Sequence, residues 1–228
     1  MIKFVFLDLD ETIFDFHKAE AIALSKMLCE IGIEPTDEVI SRYSEINDAQ
    51  WKLLELGRLT REEVLVRRFD LLFSELGVVA DSREARRLYE YNLGEGHYFI
   101  DGAEDMLGAL YGNYSLYLAS NGTEHVQTRR IASSGIAKYF DGIFISQVIG
   151  HNKPSSQFFD ACFEKIKGFE RDKAIIVGDS LTSDIKGGIN AGIRTCLFNP
   201  KGKAVLGDIK PDYEIRTLGE LAGLLKEI

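Results

Sequence analysis

The apolar positions of this chain follow two periodicities, and the switch between them divides it. Residues 2–8 open with Ile2, Phe4, Val5, Phe6 and Leu7, apolar on both faces, which predicts a strand buried inside a parallel sheet. No second strand of that kind appears before residue 114. Helical spacing takes over instead. Leu24, Met27, Leu28 and Ile31 form one stripe that stops at Gly32, and Val39, Tyr43, Ile46 and Leu54 suit a second. Thr60-Arg61-Glu62-Glu63 reads as a capping box opening a third helix, with Leu65, Leu72, Phe73 and Leu76 on its apolar side and Gly77 past its end. Asp81 can cap a fourth, running through Leu88 and Tyr91. A connection of that length is not a loop. Residues 16–95 are therefore predicted to form an inserted all-α domain.

Beyond residue 96 strand and helix alternate. Strands are predicted at 114–119, 142–145, 173–177 and 195–198, with a weaker edge strand at 213–215. Helices are predicted at 102–110, 124–133, 155–167, 183–191 and 218–226. Such alternation predicts an α/β fold, a doubly wound parallel sheet with right-handed crossovers, built from residues 1–15 and 96–228. Sites in such sheets lie at the carboxyl ends of the strands.

The net charge of −9 argues against a nucleic-acid polymer or an anionic membrane as partner. A small phosphorylated metabolite stays compatible, because local cations decide that. The three cysteines, Cys29, Cys162 and Cys196, are far apart and odd in number, and read as buried free thiols of a reducing compartment. The first residues lack the basic-then-apolar pattern of a signal peptide, and no apolar run approaches the ~20 residues of a membrane helix. A cytoplasmic protein is the expectation.

Candidate chemistry gathers where predicted strands end. Asp8 and Asp10 stand two apart after the first strand, so they start on one side while Leu9 turns to the core. Two close carboxylates repel unless a cation joins them or one keeps a proton, which suits a Mg2+ site with a nucleophile and a proton carrier. Ser120-Asn121-Gly122 follows the second strand and offers a hydroxyl and backbone N–H groups to phosphate oxygens; a plain turn would use the same residues. Lys153-Pro154 follows the third; the lysine can pair with phosphate and Asp8 or be a surface charge, and the proline can begin the next helix. Gly178-Asp179, then Asp184, follows the fourth, as metal ligand and support or as helix caps. All four at strand ends, in order, are hard to reconcile with chance.

Asp8-x-Asp10-x-Thr12, Ser120-Asn121-Gly122, Lys153-Pro154 and Gly178-Asp179-(x)4-Asp184 resemble the four motifs of haloacid dehalogenase-like (HAD) hydrolases, and the helical insert resembles their cap. The resemblance implies a Rossmann-like core and a hydrolase of phosphomonoesters. It implies that Asp8 attacks phosphorus to form an aspartyl-phosphate, and that Asp10 protonates the leaving oxygen and then activates water. Ser120, Asn121, Gly122 and Lys153 would bind the phosphoryl group. Asp8, the Asp10 backbone carbonyl and Asp179 would hold Mg2+, supported by Asp184. The dehalogenases of the superfamily lack the acid at position 10, so the chain reads as a phosphatase or mutase.

The segment Asn47-x3-Trp51-x3-Glu55-x-Gly57-x2-Thr60-Arg61, with Arg68-Phe69 and Phe14-Asp15-Phe16, resembles pyrimidine 5′-nucleotidases. That implies nucleoside monophosphates as substrates, with Phe14, Phe16, Trp51 or Phe69 stacking on a base and Arg68 at its polar edge; core packing is the competing role for each aromatic. Sugar-phosphate or phosphoglycolate phosphatase, phosphosugar mutase and non-catalytic phosphate binder are the alternatives. His17, His97, His125 and His151 are assigned to surface or supporting positions, Asn152 and Asn190 to a turn and a helix.

Overall fold

The computed structural model describes residues 1–205 and 207–228. Among them, β1 (Phe4–Leu7), β2 (Ser115–Ser120), β3 (Gly142–Ile145), β4 (Ala174–Gly178), β5 (Arg194–Phe198) and β6 (Tyr213–Ile215) form one parallel sheet in the order β3-β2-β1-β4-β5-β6. The helices are α1 (Phe16–Glu30), α2 (Asp37–Glu55), α3 (Arg61–Leu76), α4 (Ser82–Leu93), α5 (Ala103–Leu110), α6 (Glu124–Ser134), α7 (Ser146–Ile149), α8 (Ser156–Phe163), α9 (Lys186–Ala191) and α10 (Leu221–Glu227). β1 is central: Leu7 is paired with Leu118 of β2 on one side and Val177 of β4 on the other. The chain winds outward from β1 through β2 to β3, then restarts at β4 and winds the opposite way. That reversal opens a crevice at the carboxyl ends of β1, β2 and β4.

The unbroken apolar run of β1 has its reason in the two layers covering it. Val5 and Leu7 point into one core with Leu107 of α5 and Leu221 and Leu225 of α10. Phe4 and Phe6 point into the other, against Phe158, Phe159 and Phe163 of α8. α1 to α4 gather around a third core that includes Leu24, Met27, Tyr43, Phe69 and Tyr89. Val126 of α6 joins that core, so the insert is seated on a helix of the sheet layer. Thr60 and Glu63 close the capping box of α3, and Gly77 ends it at φ 65°. Thr36 caps α2, and Asp81 caps α4.

Several predicted bounds move. β2 runs one residue further than expected, so Ser120 closes the strand, and β4 likewise takes in Gly178. The helix expected over 155–167 is regular only to Phe163; its last turns tighten into short-range bonds (Lys165 N to Cys162 O, Ile166 N to Phe163 O) before Gly168 at φ 71°. Pro154 does not begin that helix, because Ser155 caps it, and the Lys153–Pro154 bond is cis. Cys29 is exposed, against the expectation of burial, since it falls on the outer side of α1; Cys162 and Cys196 are buried. Among the described residues no helix is long and apolar enough to cross a membrane.

Candidate active site

A cavity of about 340 Å3 opens where β1, β2 and β4 end, with α1 to α4 above it. Asp8, Asp10, Ser120, Asn121, Gly122, Lys153, Asp179 and Asp184 all line it. Four segments far apart in sequence thus converge on one crevice.

Lys153 is the hub. Its side chain is almost wholly buried, and Nζ donates to Asp8 Oδ1 at 2.5 Å, Asp184 Oδ1 at 2.7 Å and the Ala119 carbonyl at 2.6 Å. All three ammonium protons therefore have acceptors. The backbone of Lys153 is clamped to Asn121: its N–H donates to Asn121 Oδ1 and its carbonyl accepts from Nδ2, both at 2.9 Å. Asn121 is accordingly a brace between two loops.

Asp184 arrives on one wide turn, residues Leu181–Ile185, in which Ile185 N–H reaches back to the Ser180 carbonyl at 3.1 Å. Its Oδ2 accepts from Ser180 N–H at 3.1 Å. Gly178 makes the room: a Cβ there would lie 2.2 Å from Asp184 Oδ2. Carboxylate oxygens of Asp8, Asp179 and Asp184 all lie within 4.8 Å of one another.

Charge in this cluster is unbalanced. Burial, then the facing Asp184, pushes the Asp8 carboxyl up to about 8, although Lys153 pulls the other way. Burial, then the carboxylates of Asp184 and Asp8, raise Asp179 well above its ordinary value. Burial also works against the Lys153 ammonium, but Asp184 and Asp8 outweigh it and lift its pKa above the lysine value. Oxygen donors this close, with one cation among them, make a fit for a hard divalent ion.

Asp10 is held by residues that the motif reading passed over. Arg130 of α6 donates to Asp10 Oδ1, and Gln127 Nε2 donates to Asp10 Oδ2 at 2.6 Å. The available signal was a polar pair, Gln127 and Arg130, on the same helical face as Val126 and Ile131; all four are buried. Thr12 is buried too, and its hydroxyl finds no partner among the described residues.

Above the crevice, Trp51 and Arg68 line the cavity, together with the apolar side chains of Phe16, Leu65, Leu93 and Val126. Asn47 Oδ1 accepts from Trp51 Nε1 at 3.1 Å and from Arg68 Nη1 at 3.0 Å. Phe14, however, is set apart from the cavity: it has no exposed surface and packs edge-on against Phe99. It follows Ile13 into the sheet core, because the turn after Asp10 reverses the chain. Phe69 likewise lies inside the insert, stacked on Tyr43.

Two roof residues grip the floor. Arg61, the first residue of α3, donates to the Asn121 and Gly122 carbonyls at 2.8 and 3.0 Å, and to Ser146 Oγ and Asn152 Oδ1 at 2.6 Å each. Asn152 thus does more than turn the chain. Burial lowers the Arg61 pKa to about 10. Glu55 accepts from Thr182 Oγ1 at 2.9 Å.

The chain is 41% identical over 218 residues to the HAD-hydrolase YfnB of Bacillus subtilis, covering 96% of this chain and 93% of that one. The crystal structure of YfnB bound to magnesium superposes with a TM-score of 0.94 at 40% identity, over 98% of both chains. The pyrimidine 5′-nucleotidases PynA of Streptococcus pneumoniae and YjjG of Escherichia coli are 37% and 30% identical, over 98% and 97% of this chain and 94% and 96% of their own. A family model described as haloacid dehalogenase-like hydrolase matches residues 2–192, and with the four motifs converged on one crevice the chain belongs to that family.

Proposed function

We propose that this protein is a Mg2+-dependent phosphomonoesterase that works through an aspartyl-phosphate, with pyrimidine nucleoside 5′-monophosphates as substrates. The observation that carries the reading is the cluster of Asp8, Asp179 and Asp184 within 4.8 Å around the Lys153 ammonium. Asp8 is the nucleophile: a carboxylate oxygen bonds to phosphorus while the ester P–O bond breaks, and the leaving oxygen takes a proton from Asp10. Water then gives one of its own protons to Asp10 as its oxygen bonds to phosphorus and the P–O bond to Asp8 breaks, which frees the carboxylate. Ser120 and the Gly122 turn orient the phosphoryl oxygens, and Lys153 offsets their charge. Asp8, Asp179 and the Asp10 carbonyl, with Asp184 beside them, would hold Mg2+, which supplies further positive charge against the phosphoryl oxygens.

Residues 16–95 are the cap and residues 1–15 and 96–228 the catalytic core. The nucleoside assignment is supported by the names of PynA and YjjG and by the apolar patch of Phe16, Trp51, Leu65, Leu93 and Val126 beside Arg68. A base suits such a patch better than a bare sugar phosphate does. The test is phosphate release from nucleoside monophosphates, sugar phosphates and an aryl phosphate, with and without Mg2+. Turnover that needs Mg2+, favours pyrimidine nucleotides and vanishes in Asp8→Asn is expected. Full turnover by Asp8→Asn would refute the covalent mechanism, and a preference for sugar phosphates would refute the substrate.

A further inference from the structure

Asp10 is gripped on both carboxylate oxygens by a single helix. Arg130 and Gln127 are three residues apart on α6 and share one face. Arg130 takes Asp10 Oδ1 and Gln127 takes Oδ2. The Gln127 amide also donates to Ser120 Oγ at 2.9 Å, and its own oxygen accepts from Arg130 Nη1 at 2.9 Å. One side-chain network therefore links the residue read as acid and base to the hydroxyl read as a phosphate ligand. Gly122 is shaped to this network: a Cβ there would meet Gln127 Nε2 at 2.2 Å.

Arg130 reaches further. Its Nε donates to the Gly96 carbonyl at 2.6 Å, and its guanidinium lies 5.1 Å from the centroid of the Phe14 ring. Phe14 and Gly96 belong to the two stretches where the chain passes between the sheet layer and the insert. Arg130 has no exposed surface, yet Nη2 has no partner among the described residues. A buried guanidinium with an unmet donor costs stability relative to an apolar side chain, so packing alone is a weak reason for its presence.

We infer that Gln127 and Arg130 are positioning residues for Asp10, and that through Arg130 its orientation is tied to both crossings between core and insert. The inference rests on the reading of Asp10 as proton donor and acceptor. Asp10 sits on a turn beyond β1, beside Glu11 at φ 57°, with no regular element to fix its carboxylate. A group that must serve the leaving oxygen and then a water has to keep one place, and small displacements are costly in rate. α6 supplies that constraint from outside the motif.

The experiment compares kcat/KM for a pyrimidine nucleoside monophosphate with that for p-nitrophenyl phosphate, in wild type, Gln127→Leu and Arg130→Lys. An alkoxide leaves poorly without a proton, whereas p-nitrophenolate leaves unaided; kcat/KM isolates that first step. In both variants the nucleotide value should fall about 10- to 100-fold, a part of what general acid catalysis supplies, and the aryl value by less than about threefold. Arg130→Lys keeps the charge but not the fork, so it should not restore the nucleotide value. Equal losses on both substrates, or no loss on either, would overturn the inference. Thermal unfolding checks the fold, and should Arg130→Lys not fold, Gln127→Leu decides alone. A wild type that hydrolyses neither substrate would instead overturn the functional reading, and this inference with it.

Discussion

The floor and the roof of the crevice are built by different means. On the floor, Asp8, Ser120, Lys153 and Asp184 stand at strand ends, and backbone groups hold them: Asp8 N–H on the Val177 carbonyl, Lys153 Nζ on the Ala119 carbonyl, Ser180 N–H on Asp184. In the roof, Trp51 and Arg68 share Asn47 Oδ1, the Asn47 amide donates to Glu20 of α1 at 2.8 Å, and Arg68 faces Glu90 of α4 at 3.9 Å, so side chains of four helices hold one another. On the floor, replacing Asp8, Lys153 or Asp184 strands a buried charge. The roof can exchange side chains while the charged cluster stays whole. Chemistry is expected to be common to relatives with this floor, and substrate choice to vary with the roof.

The harshest way to break that contrast is Lys153→Met. It leaves Asp8 and Asp184 facing each other without their buried cation, which should cost about 3–5 kcal/mol of stability and abolish turnover. Denaturant unfolding measures it, and added Mg2+ should recover part of the loss. Trp51→Ala on the roof should raise KM for nucleotides about 10-fold while leaving aryl phosphate kinetics nearly unchanged, as expected for a lost stacking partner. Equal effects on both substrates would mean that Trp51 only packs the insert.

Divalent-ion binding sharpens the contrast further, because the floor should respond to pH. Asp8 in the metal-free fold titrates near 8, above its ordinary value of 3.8, so the folded state binds that proton more tightly than the unfolded chain. Stability of the metal-free protein should therefore decline as pH rises from about 4 through about 8. His17, raised to about 9 from 6.5 by the carboxylates of Glu20 and Glu11 about 4 Å away, adds loss of the same sign between those values, reduced by its partial exposure. Mg2+ should raise Tm more at pH 8 than at pH 5 and displace protons from Asp8 and Asp179 near pH 7, measurable by calorimetry in buffers of different ionisation enthalpy. The gentlest test lies at the roof's edge. Thr60→Ala removes a capping box that has no bond to the charged cluster and should cost about 1 kcal/mol, with kcat nearly unchanged.

The floor was legible because its residues follow strands in an order that only a parallel sheet brings together. β1 announced itself by apolar residues on both faces, and the insert by capping signals at Thr60 and Asp81. What stayed hidden depends on side-chain reach. Gln127 and Arg130 carry no spacing signature besides lying on the buried face of α6. Arg61 looked like one half of a capping segment, although its head crosses to four acceptors on the opposite wall. Phe14 shares its neighbourhood with Phe16, yet only the latter meets the cavity: Phe14 is buried with Ile13 in the sheet core, whereas Phe16 opens α1 of the insert.

Arg61 also alters the peptide units it grips. The Asn121 carbonyl shares its amide plane with the Gly122 N–H, and the Gly122 carbonyl shares its own with the Thr123 N–H. A guanidinium drawing electron density from those oxygens makes the N–H at the far side of each plane a stronger donor. The insert therefore polarises the very loop proposed to hold the phosphoryl group, and the Gly122 N–H so strengthened is the one that donates to Ser120 Oγ at 3.0 Å.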